Sequence, residues 1–360
     1  MAKIVKNVIL KKDFDEILSS NINFEKMKNS SIFVTGATGL IGSLLVKLLL
    51  YLNREKSLNL KVLAMVRNIE KAKMLYAEMS EFPELEFIIG DVRDEINYTG
   101  KVDYIFHCAS VTDSRTMIEK PVETLLIMVN GTENVLNFAR SKKCSSVVYI
   151  SSMEVYGSFV DGNYDVTEDD LGYINPLVVR SNYPESKRLC ENLCIAYFEQ
   201  YNVQVKIARL AQTFGAGILP QENRVFAQFA RSVIAGKDIV LHTKGESEGN
   251  YCYTSDAIKG LFMILLDGKN GDAYNVANPK MHISIKEMAQ MVCDLFSCGK
   301  SNVVFDIPEK NIYGYANNYK MKLNSDKLQR LGWKPQIGLI QAYERLILYM
   351  NNEGMESINK

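Results

Sequence analysis

Short apolar runs and longer leucine-rich stretches alternate from residue 31 to residue 209. Ser31–Val34, Lys61–Val66, Glu86–Ile89, Asp103–His107, Ser146–Ser151 and Gln204–Arg209 are brief and biased to β-branched and aromatic residues, which predicts buried strands. Between them Leu40–Leu52, Ile69–Met79, Val122–Ser141 and Tyr183–Tyr201 are longer and read as helices. Strands that alternate with helices imply right-handed crossovers and an α/β fold whose doubly wound parallel sheet is covered on both faces. After Phe214-Gly215 the pattern changes. Helices are predicted over Asn223–Ala235, Asp256–Leu266, Ser284–Phe296 and Gly338–Met350, with short strands near Ile239–Leu241 and Tyr251–Tyr253. The expected division is an amphipathic N-terminal extension over 1–30 (Phe14, Ile17 and Leu18 at helical spacing), a sheet domain over 31–215, and a smaller mixed α/β substrate domain over 216–360. One strand and helix of the sheet are allowed to return from the last part.

Ligands of such sheets sit beyond the carboxyl ends of the strands. Gly36, Arg67, Asp91, His107 and Ser151-Ser152 all follow predicted strand ends. The stretch Thr35-Gly36-Ala37-Thr38-Gly39-Leu40-Ile41-Gly42 joins the first strand to a buried helix. Glycine turns tightly at positive φ and lets a diphosphate approach the backbone, where the helix N-terminal N–H groups face the anion. In Tyr183-Pro184-Glu185-Ser186-Lys187 the phenol and the ammonium share a helix face. Pro184 suits a first helical turn, so Tyr183 is expected near a helix N-terminus. Both the cation and that terminus favour phenolate, so the expected pKa lies below the usual tyrosine value and the expected role is general base. Ser151-Ser152-Met153-Glu154 closes a strand and offers a hydroxyl to the same substrate oxygen.

Composition narrows the partners. Of 360 residues 47% are hydrophobic, the usual share for a globular protein, and this length suggests a large domain plus a smaller one. Lys plus Arg and Asp plus Glu both number 42, which points to no nucleic acid and no polybasic membrane contact. Seven scattered cysteines form no Cys-x-x-Cys pair, and Cys190 and Cys194 lack the histidines of a zinc site, so reduced thiols and no metal are expected. The first residues hold no signal-like apolar core, and Leu40–Leu52 is too short to span a bilayer and carries Lys47. A cytoplasmic location is expected.

Taken together, these motifs resemble the extended short-chain dehydrogenase/reductase family, the nucleotide-sugar epimerases and dehydratases. The resemblance covers roughly residues 30–350 and rests on Thr35-Gly36-x-x-Gly39-x-x-Gly42, Gly90-Asp91-Val92, His107-Cys108-Ala109-Ser110, Asn130-Gly131-Thr132, Ser152 with Tyr156-Gly157, Tyr183 with Lys187, Arg209, Phe214-Gly215, Tyr253 with Asp256, and Leu331-Gly332-Trp333. It implies a Rossmann-type domain. It also implies a sugar hydroxyl, usually at C4, oxidised to a ketone before epimerisation, dehydration or decarboxylation. By that resemblance Tyr183 is the catalytic base, Lys187 lowers its pKa and holds the nicotinamide ribose, and Ser152 is the catalytic hydroxyl. Gly36, Gly39 and Gly42 form the pyrophosphate turn, Thr38, Leu40 and Ile41 bind the cofactor with them, Asp91 and Val92 meet the adenine, Ala109 borders the cofactor, and Ser110 and Ser152 face the substrate. A homodimer built on a helix pair is expected by analogy.

Glu154 narrows the reaction. The dehydratases and the glucuronate decarboxylases look similar here, with Thr-x-Glu where this chain has Ser152-Met153-Glu154. Glu154 is expected to take the C5 proton once C4 is a ketone. Met153 departs from the aspartate of some dehydratases, and a thioether donates no proton. A 4,6-dehydratase/epimerase is the leading expectation, with a UDP-glucuronate decarboxylase-like enzyme and an NADPH-dependent carbonyl reductase as alternatives; the intact Ser152, Tyr183 and Lys187 set argues against a non-catalytic nucleotide-binding scaffold. A second departure is Arg67, where NAD-dependent members often carry an acid for the ribose. Its planar fork suits a 2′-phosphate, so NADP is favoured over NAD. A third is Glu248-Gly249-Asn250-Tyr251, which lacks the arginine that clamps the diphosphate in many members. Arg224 resembles another substrate-side arginine, notably of the decarboxylases. His107 is expected to be packed and hydrogen-bonded, and Tyr313, Tyr315 and Tyr319 to pack as aromatics.

Overall fold

The computed structural model describes residues 5–79, 81–159, 165–308 and 319–358; Tyr313 and Tyr315 lie outside them. Seven strands form the central sheet: Ser31–Thr35, Lys61–Val66, Leu85–Ile89, Tyr104–His107, Ser146–Ser152, Val205–Leu210 and Ala273–Val276. From one edge to the other they begin at Ala273, Val205, Ser146, Tyr104, Ser31, Lys61 and Leu85. All pairings are parallel. The chain winds outward in both directions from Ser31–Thr35, so the crevice between it and Tyr104–His107 is the topological switch where such sheets bind ligands. Thr35 pairs with His107 across that switch.

The strands read as continuous apolar runs because both faces are buried. Ile32, Val34, Val62, Ala64, Phe106, Val148 and Ile150 face one core, which includes residues of the helices Leu40–Lys56 and Thr254–Asp267. Phe33, Leu63, Met65, Ile105, Val147 and Tyr149 face the other, with the helices Pro121–Lys142 and Asn182–Tyr201. This two-residue alternation fixes the register, because a slip by one would exchange every side chain between the cores. Each buried side chain of this size contributes about 1.5–3 kcal/mol.

The helix after the second strand, Ile69–Leu75, stops earlier than its sequence pattern predicts. Tyr76 turns inward as its cap and donates its phenol to Ala37 O in the glycine turn. The last helix, Leu339–Ile358, runs further than expected. The N-terminal helix Val8–Leu18 buries Leu10, Phe14 and Ile17 as its spacing predicts, but it also buries Asp13. That carboxylate accepts from Tyr253 Oη at 2.7 Å and from Arg345 of the last helix, tying both ends of the chain together.

Beyond the main sheet, Gln212–Phe214, Glu248–Tyr253 and His282–Ser284 form a three-stranded sheet. Helix Ile285–Phe296 starts on a capping box made by Ser284 and Glu287. Asp256, fully buried, accepts from Gln336 N at 2.8 Å and Ile337 N at 2.9 Å, while its carbonyl accepts from Trp333 Nε1 at 2.9 Å. The Tyr253/Asp256 and Leu-Gly-Trp motifs thus meet in one structural joint. No helix among the described residues is long and apolar enough to cross a membrane.

Candidate active site

The glycine turn has the shape its sequence promised. Gly36 sits at φ +62°, and a Cβ there would lie 2.8 Å from Ala109 N. A Cβ on Gly42 would lie 2.3 Å from Gly36 O, so the helix packs directly on the turn. Gly39 caps Leu40–Lys56 with no side-chain bond to the helix N–H groups, and it is exposed, with Thr38, Leu40 and Ile41 partly so. Free N–H donors at the positive end of a helix, on a cradle that a side chain would fill, suit the diphosphate of a dinucleotide.

A hydrogen-bonded chain joins this turn to the neighbouring strand end. Thr35 Oγ1 accepts from Cys108 N and Ala109 N, both at 3.1 Å, and lies 2.8 Å from His107 Nδ1. His107 Nε2 lies 3.2 Å from Thr132 Oγ1, which itself donates to Met128 O. Thr132 must therefore accept from Nε2–H, and Nδ1 accepts from Thr35. Burial, and then Lys187, hold the His107 pKa down to about 3. His107 is a neutral scaffold residue, as expected. Ser110 turns its hydroxyl to Val111 O at 3.3 Å.

At the other end of the crevice Asp91 is held by Arg93, through Nε and Nη2 at 3.0 Å each. Arg67 Nη1 stands 3.9 Å from the same carboxylate, with its side chain 70% exposed. Arg93, and then Arg67, keep the Asp91 carboxyl below the ordinary range against the opposing effect of burial. Val92 packs on Gly131, where a Cβ would come within 2.9 Å of its methyl.

The strand Ser146–Ser152 separates its two serines by alternation. Ser151 donates to Glu191, which also binds Arg209, and is structural. Ser152 is left for the crevice, and its Oγ accepts from Glu154 N at 3.2 Å. Tyr183 lies in the first turn of Asn182–Tyr201, as Pro184 predicts. Lys187 follows one turn later, 3% exposed, with Nζ donating to Ile150 O at 2.7 Å and lying 5.8 Å from the centre of the Tyr183 ring.

One expectation is corrected. The Tyr183 pKa is not lowered; burial pushes it up to about 12 and Glu154 adds to the rise. Ser152, Arg180 and Arg224 pull it down, but less. Lys187 does not offset this, because its own buried ammonium is destabilised and its pKa falls to about 8. Desolvation outweighs the favourable charge that spacing alone suggested.

Arg180 escaped the sequence reading. It lies on the turn Val179–Ser181, just before the Tyr183 helix, and grips Glu154 end-on: Nη1 to Oε2 at 3.0 Å and Nη2 to Oε1 at 3.1 Å. The side chains of Arg180 and Glu154 are 15% and 31% exposed. The only hint in the sequence was an arginine three residues before the tyrosine. Tyr319 also belongs here, since burial and Glu154 push its phenol up to about 12. Met153 is buried in a small apolar cluster with Val155, Tyr156 and Met321. Arg224 is paired with Glu222 through Nε at 2.9 Å and Nη2 at 2.7 Å. Among the described residues no group of three or more His, Cys, Asp or Glu is placed to hold a metal ion.

The chain is similar in sequence to UDP-glucuronic acid decarboxylases and in fold to a UDP-glucuronic acid 4-epimerase. UDP-glucuronic acid decarboxylase 6 of Arabidopsis thaliana is 30% identical over 311 residues, 86% of this chain and 86% of that protein. UDP-glucuronic acid decarboxylase 1 of Danio rerio is 28% identical over 323 residues, 89% of this chain and 73% of that protein. The crystal structure of UDP-glucuronic acid 4-epimerase from Bacillus cereus, in complex with UDP-glucuronic acid and NAD, shares the fold with a TM-score of 0.74 at 21% identity, covering 90% of this chain and 99% of that one. The profile of the NAD dependent epimerase/dehydratase family matches residues 32–277, and the chain belongs to that family.

Proposed function

We propose that this enzyme acts on a nucleotide-activated hexuronate, oxidising its C4 hydroxyl and then releasing the C6 carboxyl as carbon dioxide. The observation that carries this reading is the make-up of Ser152-Met153-Glu154. Loss of water from a 4-keto-sugar calls for an acid at the departing oxygen. Met153 stands where such an acid would, and it is buried in an apolar cluster with no proton to give. Loss of carbon dioxide from the same ketone needs no such acid, because the electron pair of the broken C5–C6 bond moves onto the C4 oxygen. The likeness to two UDP-glucuronic acid decarboxylases supports the same choice.

In this reading Gly36, Thr38, Gly39, Leu40, Ile41, Asp91, Val92 and Ala109 hold the dinucleotide, and Lys187 holds its nicotinamide ribose. When bound, the nicotinamide supplies the hydride acceptor at C4 and returns the hydride at the end. Tyr183 is the group placed to take the proton of the C4 hydroxyl while Ser152 orients it; its phenol, pushed up to about 12 by burial, must first lose its own proton, and Ser152, Arg180 and Arg224 favour that loss. After carbon dioxide leaves, both hydroxyls donate to the enolate oxygen. Glu154 borders C5, where a proton must replace the carboxyl, and its partial exposure gives that proton a route from solvent. Arg224, whose charge also reaches Tyr183, is assigned to the substrate. For the cofactor we infer NADP rather than NAD, from the exposed fork of Arg67 beside Asp91.

A panel of nucleotide sugars with product analysis by mass spectrometry tests the reading. A nucleotide hexuronate should give the pentose with loss of carbon dioxide and no net cofactor consumption. A dehydrated product from a neutral hexose, or steady consumption of NADPH, would replace it.

A further inference from the structure

Arg180 and Glu154 form the only ion pair among those of the described residues whose carboxylate bears on Tyr183, and neither side chain is fully buried. Glu154 occupies only the end of the guanidinium, while Nε is buried without a hydrogen-bond partner. A planar fork of this kind matches any carboxylate, whether it belongs to the protein or to a ligand. The pair also lies against the reacting centre, since Arg180 is 5.6 Å from the centre of the Tyr183 ring. Resting on the reading that the site takes a nucleotide sugar, we propose that Arg180 is the residue that selects a C6 carboxylate: it passes from Glu154 to the carboxylate of the sugar when substrate binds, and returns when that carboxylate is gone.

The exchange balances in charge and atoms. Before binding, Arg180 neutralises Glu154. When the acid enters, Arg180 pairs with it, and Glu154, left beside two buried phenols, takes one proton from solvent. When the C5–C6 bond breaks, the carboxyl departs as neutral carbon dioxide and its electron pair enters the C4–C5 enolate. Arg180 then has no anion except Glu154. Re-forming that pair favours the ionised Glu154, so its proton goes to C5 and the enolate returns to a ketone. A guanidinium fixed only on the departing carboxylate would stabilise the starting state alone. Arg180 avoids this because its field also reaches the Tyr183 phenol, and with it the C4 oxygen that receives the charge.

Calorimetric binding of matched acid and neutral sugars tests the proposal without turnover: UDP-glucuronate against UDP-glucose, and the corresponding dTDP pair, on the full chain with cofactor present. Titrations are run in buffers of different ionisation enthalpy, so that proton uptake is counted. A charge-assisted fork contributes about 1.5–3 kcal/mol, but taking the acid costs the like contact to Glu154, which a neutral sugar leaves in place, so the acid should bind more tightly than the neutral sugar by up to about tenfold. The acid alone should bring a proton with it. Arg180→Met should lower affinity for the acid at least about tenfold more than for the neutral sugar, and Arg180→Lys, which keeps the charge without the fork, should fall between. Glu154→Gln should remove the proton uptake. A merely structural Arg180 would weaken both sugars alike. Equal loss for both, no preference for the acid in either pair, or acid binding without proton uptake overturns the proposal. Carbon dioxide release is read separately. If it is absent while the Arg180-dependent preference stands, the decarboxylase reading fails and the carboxylate site survives; if it is present without the preference, the reverse holds.

Discussion

Lys187→Met should abolish turnover and yet stabilise the fold. The ammonium is 3% exposed and donates to Ile150 O. Burial, which outweighs the neighbouring Cys190 and Glu191, brings its pKa from 10.5 to about 8. At about 1.4 kcal/mol per pH unit, keeping the protonated form inside costs roughly 3 kcal/mol. The pKa is depressed in the folded state, so between about 8 and 10.5 the unfolded chain binds a proton that the folded chain has released. The corresponding stability is present above the higher value and is lost as the pH falls towards the lower one. Below about 8 both states are protonated and the whole cost remains. Methionine carries no charge and fills a similar volume, and its sulfur would sit against Tyr149, whose ring centre is now 4.8 Å from Nζ. It gives up the bond to Ile150 O, a loss of about 1 kcal/mol. The net gain at neutral pH is about 1–2 kcal/mol. Urea unfolding, followed by the fluorescence of the single tryptophan Trp333, measures it from about pH 7 to about pH 10. The difference between the two proteins isolates Lys187 from the other alkaline titrations. The variant should lead at neutral pH and lose that lead as the pH rises. A variant less stable at neutral pH, or a difference that stays flat with pH, would refute the reasoning.

Three further predictions concern the crevice. Gly42→Ala puts a Cβ 2.3 Å from Gly36 O; the turn must move, at a cost of about 1–3 kcal/mol, and the rise in melting temperature that added NAD or NADP gives the wild type should shrink. Thr35→Val leaves Cys108 N, Ala109 N and His107 Nδ1 without their shared hydroxyl; urea unfolding should show a loss of at least about 3 kcal/mol, since each of the three buried unpaired groups costs about 1–3. Tyr183→Phe should slow substrate oxidation about 10²–10⁴-fold in single-turnover absorbance of the reduced cofactor.

Six strands of the sheet were legible as short apolar runs between helices, five of them followed by a residue with an evident task; the seventh, Ala273–Val276, was allowed for but not located, because it returns from the far part of the chain. The glycine turn and the placement of Tyr183, Lys187 and Ser152 followed from local spacing. What escaped the reading depends on long-range contacts. Asp13 would be assigned to a solvated helix face, yet Tyr253 and Arg345, far off in sequence, draw it into the core. Arg180 carries no motif of its own, and its meaning comes from Glu154, 26 residues away. The Tyr183 titration was misjudged because spacing reveals the nearby cation but not the burial that opposes it. Arg93 was likewise invisible as the partner of Asp91, since a charged residue after a strand end is normally solvated.

The central claim is that C4 oxidation makes the C6 carboxyl leave and that the hydride then comes back. It is tested most directly with UDP-glucuronate carrying deuterium at C4 and a labelled C6 carboxyl, incubated with the enzyme and its cofactor. The account predicts labelled carbon dioxide and a UDP-pentose that retains the deuterium at C4. A product that keeps the labelled carboxyl, or a pentose whose C4 position has lost the deuterium to the cofactor pool, would contradict it.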